Sequence, residues 1–217
     1  MQKRVVVTKG GLSHYASSTA EMMLNTGDEF PYSGIWIYSG QQGSGKTLLM
    51  MHTLKTIFTE CPKALIVSDI SIYGIPSIPF SGIEDFDKYE NGQHGIIFVL
   101  DEIQTLWSSL QSKNMPESQL TIWSQNRKNK RLILGTSQRY TRIAKGLREQ
   151  TSYHFECRKP VFPTIFPYTI KNGADYDDDG NYIGEKPSSF WFVPKVDVMR
   201  MYNTLEVVRK ERYNTNG

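Results

Sequence analysis

Cysteine is scarce. The chain has two, Cys61 and Cys157, among 217 residues. They make no CxxC pair and no disulfide framework, which fits a reducing cytoplasm better than a secreted scaffold. The four histidines (His14, His52, His94, His154) are scattered without metal-ligand spacing, so no structural metal is expected. Long apolar runs are missing too. The longest unbroken one is Ile96-Ile97-Phe98-Val99-Leu100, against the ~20 residues a bilayer-spanning helix needs. Met1–Val7 carries basic residues but only the short stretch Val5-Val6-Val7, too little for a secretory signal. Acid is absent from one window: Ser118–Arg148 holds eight basic residues and no Asp or Glu. Since the whole chain is +3, the remainder carries net −5. A one-signed block fits a solvated face, a surface for polyanions, or arginines aimed at phosphates.

What is present reads as an ordinary globular chain. With 39% hydrophobic residues it is not a largely disordered one. Residues 1–34, with Gly10-Gly11 and a polar run from Ser13 to Thr19, read as an irregular arm. Residues 35–159 alternate short apolar runs with helix-like stretches. The runs are Ile35–Tyr38, Ala64–Val67, Gly95–Leu100, Leu132–Gly135 and Tyr153–Cys157, each of buried-strand length. Met50, Leu54, Ile57 and Phe58 form a helical stripe after Lys46. Further helices are predicted over Glu117–Lys130 and Tyr140–Gln150. Strands alternating with helices predict an α/β fold, a parallel sheet with helices on both faces. Residues 160–217 differ. Five prolines interrupt them, Asp179-Gly180 signals a hairpin turn, Ser189–Val193 reads as a strand, and Val198, Met201, Leu205 and Val208 form a stripe for a closing helix.

Two motifs carry chemistry. Gly40-Gln41-Gln42-Gly43-Ser44-Gly45-Lys46-Thr47 satisfies G-x-x-x-x-G-K-[ST]. The glycines let successive backbone N–H groups curl around phosphate oxygens, and the helix behind them turns its positive end the same way. Lys46 reaches the β- and γ-phosphates, and Thr47 sets a hydroxyl on Mg²⁺. The strand Ile96–Leu100 then delivers Asp101 and Glu102 to its carboxyl end. Asp101 is a candidate Mg²⁺ holder beside Thr47, and Glu102 a candidate base for a water in line with the γ-phosphate. That base favours an ATP hydrolase over a nucleotide kinase, which excludes water. Gln138, at the end of the 132–135 strand, is the candidate sensor of the γ-phosphate. Arg142, Lys145 and Arg148 fall opposite Ile143 and Leu147 on a predicted helix, facing solvent or a neighbouring subunit. Arg148 and Arg127 are the preferred candidates for an arginine acting across an interface. Asp175-x-Asp177-x-Asp179-Gly180 begins like a calcium loop, but the twelfth position is Lys186 rather than a bidentate glutamate, and it reads as a polar hairpin.

GQQGSGKT, FVLDEIQTLW, WSQNRKNKRLILGTSQR and IAKGLREQ together resemble the zonular occludens toxin and filamentous-phage assembly type of ATPase, within the FtsK/HerA-like DNA-pumping superfamily that includes phage packaging ATPases. The resemblance covers residues 35–159. It implies a RecA-like sheet ordered 5-1-4-3-2, with the Gln138 strand between the Walker A and Walker B strands. It also implies ATP and Mg²⁺ as cofactors, a ring oligomer such as a hexamer, and DNA moved through that ring. Gln138 matches the family's sensor glutamine and Arg148 a family arginine. Assembly ATPases carry a transmembrane helix after this region, and no such run is present here. That points to viral genome packaging in the host cytoplasm or on the virion, with capsid proteins as further partners. The alternatives are an assembly or extrusion ATPase working with a membrane-bound partner, a non-motor nucleotide-dependent scaffold, and a nucleotide kinase.

Overall fold

The computed structural model describes residues 29–106, 126, 128–162 and 164–203. Each apolar run becomes a strand, because a run buried on both faces is stable only inside a sheet covered on both sides. The elements, in order, are β1 (Gly34–Ser39), α1 (Lys46–Glu60), β2 (Leu65–Ser68), β3 (Ile78–Pro79), α2 (Asp85–Lys88), β4 (Ile96–Leu100), β5 (Arg131–Ser137), α3 (Lys145–Glu149), β6 (Thr151–Cys157), β7 (Phe166–Asn172), β8 (Ser188–Phe192) and α4 (Val196–Met199).

The sheet has eight strands in the order β3-β2-β4-β5-β1-β6-β7-β8. Its five central members, β2-β4-β5-β1-β6, run parallel in the order expected from the resemblance, with β5 between β1 and β4. The short β3 extends one edge in parallel, while β7 and β8 extend the other as antiparallel strands. The predicted hairpin is therefore a continuation of the central sheet. Its two strands pair Phe166–Ile170 with Ser188–Phe192, and the Asp179-Gly180 turn closes only a small inner loop, through a Tyr176–Tyr182 bridge.

Period-two alternation along β1 builds two cores. Trp36 and Tyr38 face α1, where Met50, Met51, Leu54 and Ile57 are buried. Ile35 and Ile37 face the opposite layer, formed by Phe86, Tyr140, Ile143 and Leu147. The expected helix over Tyr140–Gln150 is instead a 3₁₀ turn (Tyr140–Arg142), an extended Ile143, and the short α3. Ile143 and Leu147 are fully buried all the same. The four-residue spacing registered burial rather than a continuous helix. The Glu117–Lys130 helix lies almost entirely outside the described residues; residues 128–130 form a turn into β5. In the closing segment Val198 and Met201 are buried, while Leu205 and Val208 lie outside the described residues.

Candidate active site

Parallel strands bring β1, β4 and β5 to a common carboxyl edge, and the two chemical motifs meet there. β1 ends at Ser39, and the loop that follows is pinned at its start, where Gly40 N donates to Ser137 O (3.2 Å). Within the loop Ser44 N donates to Gln41 O (3.1 Å). Gly45 is left-handed (φ +79°) and directly precedes α1, and a Cβ on it would come within 2.6 Å of the Phe166 ring. A Cβ on Gly40 would meet Cys157 O at 2.3 Å and Ser44 Oγ at 2.6 Å. The loop is thus a cradle whose curvature depends on those glycines. Inside it, Ser44 Oγ is buried and has no hydrogen-bond partner. Lys46 is 8% exposed, and its Nζ folds back to donate to Gln41 O at 3.3 Å. An orphaned hydroxyl and an ammonium resting on a loop carbonyl fit a phosphate group. Gln41, Gln42 and Gly43 form the exposed lip.

The acidic pair sits against this cradle. Asp101 Oδ1 accepts from Thr136 Oγ1 at 2.6 Å and from Thr47 Oγ1 at 3.2 Å. The backbone of Asp101 donates to Asp69 Oδ1 at 2.8 Å. Glu102 adopts a left-handed conformation (φ 55°) uncommon for a non-glycine residue. Its N–H donates to Thr136 Oγ1 at 2.9 Å, and its carboxylate accepts from the Gln104 amide. Thr136, fully buried, therefore holds both acids at once. Burial, with the Asp101 carboxylate adding to it, pushes the Tyr202 phenol up to about 12, so this tyrosine stays protonated beside the site. Asp101 and Thr47 form an oxygen-rich pair suited to a hard divalent cation such as Mg²⁺.

Lys46, Thr47, Asp101 and Glu102 are thus brought together. Gln138 is exposed on the rim, where its Oε1 accepts from Arg142 Nη1 at 3.0 Å. Arg148 does not face outward as its helix position implied. It is half-buried with Nε unpartnered, and its Nη1 lies where a Cβ on Gly180 would be, 2.0 Å away, so it packs under the hairpin turn of its own chain. Arg127 lies outside the described residues. Sequence reasoning passed over Thr136 and Gln104 as site residues. Thr136 carries a sequence signal all the same, being the first polar residue after the Leu132–Gly135 run and two places before Gln138.

No family model matches the sequence, and no curated protein matches it. Solved structures do. The N-terminal domain of zonular occludens toxin from Neisseria meningitidis superposes with a TM-score of 0.61 at 16% identity, over 79% of this chain and 99% of that one. The genome packaging NTPase B204 from Sulfolobus turreted icosahedral virus 2, in complex with ATP-gammaS, gives 0.50 at 13% identity, over 67% and 97%. The ATPase domain of G40P gives 0.50 at 8% identity, over 90% and 99%. At these identities the likeness concerns the fold: the chain has a RecA-like P-loop fold, similar to that of the N-terminal domain of zonular occludens toxin.

Proposed function

We propose that this chain is a Mg²⁺-dependent ATPase that drives DNA movement, with viral genome packaging as its setting. The observation that carries the reading is the meeting of Thr47 and Thr136 on one oxygen of Asp101, with Glu102 held beside it by the same threonine. Loop N–H groups and Ser44 hold the phosphates of ATP. Lys46 leaves Gln41 O to meet the β- and γ-phosphates. Mg²⁺, held by Thr47 and Asp101, would neutralise charge on those phosphates. Glu102 orients a water and takes its proton as it attacks the γ-phosphate. Gln138 on the rim reports the γ-phosphate, and an arginine of a neighbouring copy completes the site, so the active form is a ring such as a hexamer. Residues 35–159 act as the ATPase core, 1–34 as an arm, and 160–217 as the hairpin and closing helix.

Likeness to a genome packaging NTPase supports the packaging setting, and the proposal adds the host cytoplasm or the virion as its place and DNA and capsid proteins as its partners. The sequence resemblance to filamentous-phage assembly ATPases, with a fold likeness to zonular occludens toxin at the higher TM-score, favours a second reading, an assembly or extrusion ATPase working with a membrane-bound partner. No helix among the described residues is long and apolar enough to cross a membrane. The test is the ATP hydrolysis rate with and without DNA, with size measured alongside. Stimulation by DNA together with assembly into a ring is expected. An ATPase indifferent to DNA at every concentration would refute the DNA part of the proposal.

A further inference from the structure

The basic window does not form a single surface. Arg131 is 2% exposed, donates to Phe86 O, and lies 5.7 Å and 5.8 Å from the rings of Phe86 and Phe98. Lys130 pairs with Glu29, and Lys145 with Asp178 and Glu149. Arg142 holds Gln138. Arg139 belongs to a different group. With Arg158, Lys159 and Lys171 it lines a cleft of about 680 Å³ that opens beside the first residues of the phosphate loop, Gly40 and Gln41.

Among the described residues, Glu156 is the single acidic one lining this cleft. It faces Lys171 at 3.2 Å and Arg158 at 3.6 Å. Half-burial alone would push the Glu156 carboxyl up, but these two cations pull it below its ordinary value. Four cations against one carboxylate leave the lining with an excess of three positive charges. Another wall is aromatic. Tyr140 stacks on the His154 ring at 4.2 Å. His154 sits between Ser39 Oγ (2.6 Å) and the Tyr176 hydroxyl. Tyr182 meets Tyr176 edge-on at 5.3 Å, has Lys171 Nζ over its ring at 5.3 Å, and lines the cleft half-buried. Burial holds His154 neutral, so the wall adds ring surface and no charge.

A cationic groove with ring faces suits an extended polyanion carrying unstacked bases. A duplex hides its bases, and the nucleoside end of ATP is uncharged and would leave three cations unmatched. We propose that this cleft binds a single strand of nucleic acid, its phosphodiester groups on Arg139, Arg158 and Lys159 and a base against Tyr182. Because Gly40 and Gln41 share the lining, a bound strand would touch the phosphate loop itself. The inference rests on the DNA reading above and gives that reading a location and a strand preference.

The test is fluorescence anisotropy of a labelled oligonucleotide of about 20 nucleotides with the full chain, titrated over a range of salt. Each phosphate contact on a single strand contributes about 0.7 to the log–log salt slope, so Arg158→Ala with Lys159→Ala should flatten it by about 1.4. Lys159→Ala alone, at an exposed side chain, should flatten it by about 0.7 and serves if the double variant unfolds. Tyr182→Ala should weaken binding about tenfold with the slope unchanged, and Tyr182→Phe should restore it. If the wild type binds neither single strand nor duplex, the DNA reading falls and this inference with it. If the wild type binds but the variants keep its slope, only the cleft is wrong. Preference for duplex over single strand would likewise overturn the cleft assignment.

Discussion

Replacing Thr136 with valine isolates one hydroxyl. The side chain is fully buried, and valine keeps its shape. What goes is a donor to Asp101 Oδ1 and an acceptor for Glu102 N–H. A buried hydrogen bond to a charged group contributes about 1.5–3 kcal/mol, and leaving a buried N–H unpaired costs about 1–3 kcal/mol. Since both groups are only half-buried and water can replace part of the loss, a net destabilisation of about 2–3 kcal/mol is expected. For a domain of this size that lowers Tm by roughly 4–12 °C. The catalytic effect should be sharper. The left-handed Glu102 is held in a backbone region that costs about 1–3 kcal/mol, and such conformations persist only where the surroundings enforce them. Freed from Thr136, Glu102 should lose its alignment to water while Lys46 and the loop still bind phosphate. Thr136→Val should therefore cut kcat of ATP hydrolysis by about 10–100-fold, from a loss of about 1.4–2.8 kcal/mol, with KM changed little. Thr136→Ser, which keeps the hydroxyl, should stay close to wild type. Steady-state kinetics and thermal melts of the three proteins decide it. A Thr136→Val enzyme with undiminished kcat would refute the claim that this threonine sets the base.

Arg131→Ala should behave as a core lesion rather than a surface one. Phe86 O loses a charged donor and two rings lose their cover, so stability should fall by about 2–4 kcal/mol while the salt slope of nucleic-acid binding stays put; a flattened slope with normal stability would return this arginine to the surface. His154 should make the fold acid-sensitive. Burial, with Lys171 adding to it and Glu156 opposing, lowers its folded pKa to about 3, against about 6.5 in the unfolded chain. As pH falls the unfolded chain takes the proton first. The contribution is complete above pH ~6.5 and declines towards pH ~3, by about 1.4 kcal/mol per pH unit. Denaturation at pH 7 and pH 5 should register a loss of about 2 kcal/mol that His154→Asn largely abolishes, and an equal loss in the variant would assign the effect to carboxylates instead.

Much of this architecture is legible in the sequence because its central strands are short, continuous apolar runs ending in polar residues. Such a run has one stable home, between two covering layers, and its polar end must then lie at the sheet's edge. The phosphate loop and Asp101-Glu102 follow from that logic. Charge was harder to interpret. Arg131 counts as surface in any tally of basic residues, but its burial depends on Phe86 and Phe98, which approach it from other elements. Helical geometry points Arg148 outward, yet α3 begins only at Lys145 and the turn of the later hairpin covers it. The Ser39–His154–Tyr176 chain joins three distant parts of the sequence and leaves no local signature. Ser68-Asp69, at the end of β2, reads in the sequence as a strand end or an edge of the site, and in the structure Asp69 lies at that edge. It is tied to the site because parallel pairing of β2 with β4, Ser68 opposite Val99, carries Asp69 to where its Oδ1 accepts from Asp101 N.

The most direct test of the central claim separates binding from hydrolysis at the acidic pair. Equilibrium binding of a fluorescent ATP analogue and steady-state ATP hydrolysis would be measured on wild type, Glu102→Gln and Lys46→Ala in the presence of Mg²⁺. Wild type should bind and hydrolyse. Glu102→Gln should bind with similar affinity yet hydrolyse at least about a hundredfold more slowly, the loss expected when a general base is removed. Lys46→Ala should lose binding and hydrolysis together. Hydrolysis by Glu102→Gln at the wild-type rate would contradict the account of this site as one where Lys46 and Thr47 hold the phosphates and Glu102 activates the water.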